Sequence, residues 1–262
     1  MTKKVKRIVT SILTMAISMT LLTGCGGQTE GTDAPIDDVT TAADTANAED
    51  AASDDASSEA PTSSGKPTLT YIGHASVKIV ASDGAVLYID PNYYAGDYSE
   101  PADYVLVTHC HDDHQPHKDV TLKDGGQLIT YKEALHDGTY ETYDFGNIKI
   151  EAVAAGGNAN HSIDSCVGYI VTVDGISVYH AGDTSMIEQM KDLTERHIDY
   201  AMYPIDGIYN MNATEATSVA NLVAAKNSIP IHEFDDYGKK KSDKFLPENR
   251  LVLEYGETIE LQ

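Results

Sequence analysis

Thr108-His109-Cys110-His111-Asp112-Asp113-His114 sets three imidazoles and two carboxylates within six consecutive positions, 109–114. It follows Tyr104–Val107 directly, a near-continuous apolar run of the kind carried by a strand buried on both faces. Side chains two apart in an extended segment point the same way, so His109 and His111 can share one ion. Asp113 and His114 come after the chain has turned and can serve a second. Nitrogen and carboxylate donors without thiolates suit Zn²⁺, Mn²⁺ or Fe²⁺. A lone histidine is usually structural; three where a buried strand runs out point to metal.

Outward from this stretch the chain reads as short strands, then strands alternating with helices. Strands are expected at Leu69–Ile72, Val77–Val80 and Val86–Ile89, with Asp83-Gly84 as a hairpin signal. Further strands are expected at 147–154, 167–173, 176–179, 200–203, 228–231, 251–253 and 258–261, with Asp174-Gly175 marking a second hairpin. Helical spacing covers 186–195 and 213–225, the latter with Ala216, Ala220, Val223 and Ala224 on one stripe. Two sheet-building stretches separated by helices suggest sheets packed face to face and covered by helices.

The motif His-x-His-x-Asp-His after a hydrophobic strand resembles that of the metallo-β-lactamase-fold hydrolases. Five other segments agree in order. Gly73-His74-Ala75-Ser76 and Asp90-Pro91 precede it, as in the branch of L-ascorbate-6-phosphate lactonase-like proteins. His161 follows the strand ending near Ala154, Tyr179-His180-Ala181-Gly182-Asp183-Thr184 brings a later aspartate, and Ile229-Pro230-Ile231-His232 a last histidine. The resemblance spans about residues 68–261. It implies a mixed α/β, four-layer αββα sandwich with the site in the cleft between the sheet edges. It also implies one ion on His109, His111 and His161, a second on Asp113, His114 and His232, and Asp183 bridging them. Zinc is the expected metal, with manganese or iron as alternatives. A water shared by two such ions is acidified and becomes a nucleophile near neutral pH. Asp113 doubles as the candidate proton acceptor, and His74 is expected beside the site as a hydrogen-bonding group. One departure stands out: many relatives in this branch carry Tyr-Asn before the third histidine, where this chain has Ala154-Ala155-Gly156-Gly157-Asn158-Ala159-Asn160. His180 is expected to be structural or supporting, His117, His136 and His197 to lie on the surface, and Tyr209-Asn210-Met211 to lie near the pocket. Cys110 and Cys166 are read as unpaired, with a pair as the alternative.

The N-terminal quarter is of another kind. Residues 1–24 hold four basic groups and no acid, and an apolar run from Ile8 to Leu22 ends in Leu22-Thr23-Gly24-Cys25. Fifteen helical residues would cover only ~22 Å, short of the ~30 Å hydrocarbon core. The run reads as a signal peptide, and its end resembles a bacterial lipobox with Cys25 as the lipid-bearing residue. Residues 25–66 are dominated by small and acidic side chains and read as a disordered tether. The domain is then 67–262, with 31 acidic and 13 basic residues. That net charge of −18 argues against a nucleic-acid partner. The expected activity is hydrolysis of a small anionic ester, lactone or phosphodiester through a metal-bridged hydroxide, outside the cytoplasmic membrane and tethered to it. The competing reading is a non-catalytic, metal-stabilised surface lipoprotein that binds a ligand or partner. The sequence leaves the oligomeric state open.

Overall fold

The computed structural model describes residues 65–233 and 242–262. The signal peptide, Cys25 and all of the tether before Gly65 lie outside the described residues. In chain order the elements are β1 (Thr68–Gly73), β2 (Ser76–Val80), β3 (Val86–Ile89), β4 (Ala102–Val107), β5 (Leu122–Thr130), α1 (Tyr131–Ala134), β6 (Leu135–His136), β7 (Thr139–Tyr140), β8 (Thr142–Asp144), β9 (Ile148–Ala154), β10 (Val167–Val173), β11 (Ile176–His180), β12 (Tyr200–Pro204), α2 (Ala213–Val223), β13 (Asn227–Ile231) and β14 (Glu257–Glu260). Two 3-10 helices, Glu188–Arg196 and Ser242–Lys244, complete the set.

Two six-stranded sheets result, ordered β14-β1-β2-β3-β4-β5 and β13-β12-β11-β10-β9-β8. Both hairpins form where Asp-Gly stands. Asp174 and Gly175 both take positive φ, 49° and 83°, the backbone of a tight two-residue turn between twisted strands. The main core lies between the sheets: Leu69, Val77, Leu87 and Leu106 meet Ile150, Val171, Val178 and Ile229, all buried. Tyr169 crosses this core and donates from its hydroxyl to the carbonyls of Val107 (3.1 Å) and Ile129 (3.3 Å), tying β10 to the ends of β4 and β5.

Outside the second sheet, α2 buries Ala213, Ala216, Val219, Ala220 and Val223, joined by Met190 and Leu193 of the longer 3-10 helix. Asn212 caps α2, accepting from the amides of Thr214 and Glu215 at 2.9 and 3.0 Å, and Glu215 reaches back to the Asn212 amide. The outer face of the first sheet is covered differently. Tyr98 and the loop that bears it close over Ile72, Val86, Tyr88 and Val105, with no helix there among the described residues.

Several local expectations need correction. Residues 251–253 form no strand; the only pairing there is an isolated bridge between Ser228 and Arg250, because the segment lies past the edge strand and never enters a ladder. The helix expected over 186–195 is a 3-10 helix starting at Glu188. α2 stops at Val223, since Ala224 turns left-handed (φ 53°) and is exposed instead of on the buried stripe. β5 was not expected at all. The preferred reading that Cys110 and Cys166 do not pair with each other holds, since Cys166 is a free, buried thiol.

Candidate metal centre

Strand ends build the site. The hydrogen bond from Val167 N to Thr108 O (2.9 Å) joins the end of β4 to the start of β10, bringing the two sheets together at one edge. There the loops after β4, β9, β11, β12 and β13 meet. Glycine is required at one junction: a Cβ on Gly182 would lie 2.9 Å from Thr108 Cβ and 2.9 Å from Val167 O, and its φ is +62°. The backbone therefore passes close to Thr108 and turns Asp183 inward. Three non-glycine residues at this edge also hold positive φ: His74 (54°), Asp90 (46°) and His232 (50°). Such conformations cost on the order of 1 kcal/mol or more each and persist where the surroundings over-determine them. Here His232 N donates to His74 O at 2.8 Å, locking two of the three together.

The side chains converge in two groups. His109 Nε2 lies 3.1 Å from His111 Nδ1, and His161 Nε2 lies 3.2 Å from that same Nδ1. On the other side, Asp113 Oδ2 lies 3.8 Å from both His114 Nε2 and His232 Nε2. Asp183 faces both groups: Oδ2 is 3.3 Å from His161 Nε2 and 3.5 Å from His232 Nε2, and Oδ1 is 3.5 Å from His114 Nε2. All seven residues singled out as ligands from the sequence are thus brought together. His74 Nε2 sits 3.1 Å from Asp113 Oδ2, beside the second group as expected.

The donor set fits a metal. His114 Nε2, His232 Nε2 and Asp183 Oδ1 are buried and have no hydrogen-bond partner among the described residues. Buried nitrogens and oxygens left unpaired are costly, and several aimed at the same small space call for a cation to complete them. The tautomers agree. Buried Asp90 accepts from Thr108 N (2.8 Å), Thr108 Oγ1 (2.7 Å) and His114 Nδ1 (2.7 Å), which leaves His114 Nε2 as a bare lone pair. His109 Nδ1 lies 3.1 Å from Thr108 Oγ1; with that hydroxyl committed to Asp90, His109 donates and its Nε2 is free. Burial, reinforced by His114, pushes the His109 imidazole down to about 3, so it stays neutral. For His114, burial opposes charge, but the facing Asp183 and Asp90 outweigh it and raise its pKa. For Asp113, burial is outweighed by the facing His232 ring and the hydrogen bond to His74, which hold its carboxyl well below the usual range.

The remaining candidates fall as follows. His180 is buried, with Nε2 2.9 Å from Ala75 O and Nδ1 accepting from Gly182 N at 3.1 Å, a bracing part of the loop that presents Asp183. His136 and His197 are exposed, whereas His117 is half-buried and stacks on Tyr98 at 5.3 Å, so it belongs to the cover of the first sheet. Asn210 and Met211 are buried; Tyr209 is exposed and its carbonyl accepts from Asn158 Nδ2 at 3.0 Å. Sequence reasoning passed over the support given by Asp90 and missed Asp206 entirely. The signal for Asp206 was its place two residues past a buried strand and just before Gly207.

A sandwich of two mixed sheets with a His/Asp cluster at one edge defines a metal-dependent hydrolase of the metallo-β-lactamase superfamily. The comparisons agree. The family model described as a beta-lactamase superfamily domain matches residues 68–232. A UPF0173 metal-dependent hydrolase from Exiguobacterium sp. is 30% identical over 224 residues, covering 74% of this chain and 99% of the relative. Another, from Natranaerobius thermophilus, is 28% identical over 221 residues with the same coverage of 74% and 99%. Among solved structures, a protein from Parabacteroides distasonis assigned as a metal-dependent hydrolase aligns with a TM-score of 0.59 and 30% identity, over 71% of this chain and 91% of that one. Igni18, a metallo hydrolase from Ignicoccus hospitalis, shares the fold with a TM-score of 0.61 at 22% identity, over 75% and 99%. The chain belongs to the UPF0173 metal-dependent hydrolase family.

Proposed function

We propose that the cluster holds two divalent ions, with zinc as the native metal. His109, His111 and His161 would hold one, Asp113, His114 and His232 the other, and Asp183 would lie between them. The observation that carries this is the cluster of His109, His111 and His161 beside that of Asp113, His114, His232 and His74, with Asp183 facing both and buried lone pairs left open between them. When bound, such ions polarise a carbonyl or phosphoryl oxygen and acidify water. The protein's own groups do the rest. Asp90 fixes the tautomer of His114, and His74 orients Asp113 by donating to Oδ2. Asp113 has the most solvent-accessible side chain of the seven, 53% exposed, and is the candidate acceptor of the water's proton, a weak base while it holds an ion.

We read the substrate as a small anionic ester, lactone or phosphodiester, in keeping with the likeness to the lactonase-like branch. Four carboxylates, Asp90, Asp113, Asp183 and Asp206, stand in or beside the cluster and would cancel the formal charge of two dications. Attraction for an anion is then confined to the open side of the ions. The hydrolase relatives and the full donor set favour turnover over a non-catalytic binding role. Metal quantification on protein purified without added metal, joined to a panel of esters, lactones and phosphodiesters, tests the reading. About two equivalents of metal and turnover abolished in Asp113→Ala are expected; full activity in that variant overturns it. We also propose that Cys25 carries a lipid and tethers the enzyme outside the cytoplasmic membrane, with residues 25–66 as the leash. Mass spectrometry of the mature N-terminus tests this, and an intact Met1 defeats it.

A further inference from the structure

Asp206 lies just past β12, buried, on the outer side of His232. Its Oδ1 accepts from the amides of Ile208 and Tyr209, both at 2.7 Å, and more distantly from Asn210 N at 3.4 Å. Its Oδ2 accepts from Asn210 Nδ2 at 2.7 Å. One carboxylate thus organises the whole 206–210 turn. The same Oδ2 faces His232 Nδ1 at 3.3 Å, and that nitrogen is buried with no hydrogen bond among the described residues. The turn in turn presents Tyr209 O to Asn158 Nδ2 at 3.0 Å. Asn158 completes the circuit: its Oδ1 accepts from the amides of Asn160 and His161, both at 2.9 Å.

We propose that Asp206 is a positioning residue that sets both halves of the metal centre, His232 directly and His161 through the Tyr209–Asn158 link. This rests on the dinuclear reading above. A metal on His232 Nε2 requires the proton on Nδ1, and Asp206 Oδ2 is the acceptor facing that proton. Carboxylates behind ligating histidines fix the ring and raise its basicity, and their loss lowers metal affinity about 10- to 100-fold. The second limb explains how the small, glycine-rich loop before His161 delivers its ligand. Asn158 ties that loop to the Asp206 turn, and Asn158 Nδ2 also donates to Ser185 Oγ at 3.0 Å, two residues past Asp183.

The test is titration of the metal-free protein with Zn²⁺ alone, followed by calorimetry, with circular dichroism and thermal melting as checks on the fold. Asp206→Asn keeps an oxygen for the turn but loses the charge toward His232. It is expected to weaken one of the two ions about 10- to 100-fold and leave the other within about threefold. Asn158→Ala removes the link to His161 and the contact with Ser185 but leaves Asp206 facing His232, and is expected to weaken the ion on His161 the more. Asp206→Ala removes both limbs and is expected to weaken both. Pairing each variant with His161→Ala or His232→Ala, which leaves one ion to titrate, assigns each loss to its half. Wild-type affinities in Asp206→Asn overturn the proposal, as does equal weakening of both ions in Asp206→Asn with an unchanged melt. A wild-type protein that takes up no metal overturns instead the dinuclear reading beneath it. Asn158→Ala lies away from Asp206 and keeps the second limb falsifiable if the aspartate variants fail to fold.

Discussion

The two halves of the metal centre are built to different standards of rigidity. On the Asp113 side, His114 is wholly buried and clamped through Nδ1 by Asp90, and His232 is buried with Asp206 facing its Nδ1. On the other side, His111 is half-buried and its ring nitrogen meets only the neighbouring imidazoles of His109 and His161. His161 Nδ1 is buried and without a partner among the described residues. The contrast teaches that ligand identity alone does not define a site. The same residue type is a fixed strut where a carboxylate stands behind it and an adjustable one where none does. In the less braced half, the positioning passes to backbone, through Asn158 and the amide of His161.

The harshest break removes what the halves share. Asp183→Ala is expected to empty both halves and lower turnover by about a thousandfold or more. That follows if several kcal/mol of charge stabilisation are lost at about 1.4 kcal/mol per tenfold. Steady-state kinetics beside metal quantification checks it. Next comes a matched pair of truncations in metal-free protein. His114→Ala leaves the buried Asp90 carboxylate with its two Thr108 donors but no ring facing it, and is expected to cost about 3 kcal/mol in a urea melt. His111→Ala takes a ring partner from His109 Nε2 and His161 Nε2 but from no buried carboxylate, and should cost about 1 kcal/mol. Equal losses would mean the two halves are braced alike.

Chelation gives a smaller effect. At a free metal concentration about 100-fold above Kd, each ion adds about 2.7 kcal/mol of stability, so stripping metal lowers the melting temperature and re-addition restores it. Smaller again is the pH response. Facing carboxylates, against the pull of burial, raise the pKa values of His114 and His232 above the ordinary value. In metal-free protein those rings take up a second proton at higher pH than an ordinary imidazole, and an incoming ion must displace it. Metal affinity on the braced side is therefore expected to fall as pH falls and to recover as pH rises, with protons released on binding. Calorimetry in buffers of different ionisation enthalpy counts them. His161, whose pKa burial lowers, should contribute little to that count.

Much of this was legible in the chain because the ligands sit where strands stop. The apolar run before His109, the alternation in β9 and the Asp-Gly turns each specify a strand, and strands of one sheet deliver their ends to one edge. β5 escaped because it is an exposed edge strand interrupted by Gly125-Gly126. Gly126 is required where a Cβ would meet the carbonyls of Ala102 (2.9 Å) and Asp103 (3.2 Å). His161 was placed despite its unusual loop, but the reason for its placement, Asn158, carries no spacing signal. Asp206 was missed for a related reason. It stands 26 residues before His232, and only the parallel register that pairs Pro204 with Ile231 brings the two together. Pairing across a parallel sheet is a property of topology, and local spacing does not report it.

Cys166, at the start of β10, is almost fully enclosed. Burial foremost, then the nearby Asp183, pushes its thiol up to about 12. At neutral pH an alkylating reagent meets almost no thiolate and no open path to it. Modification must wait for the sheet edge to part, so its rate becomes a stopwatch for that opening, and a loaded centre should slow the clock.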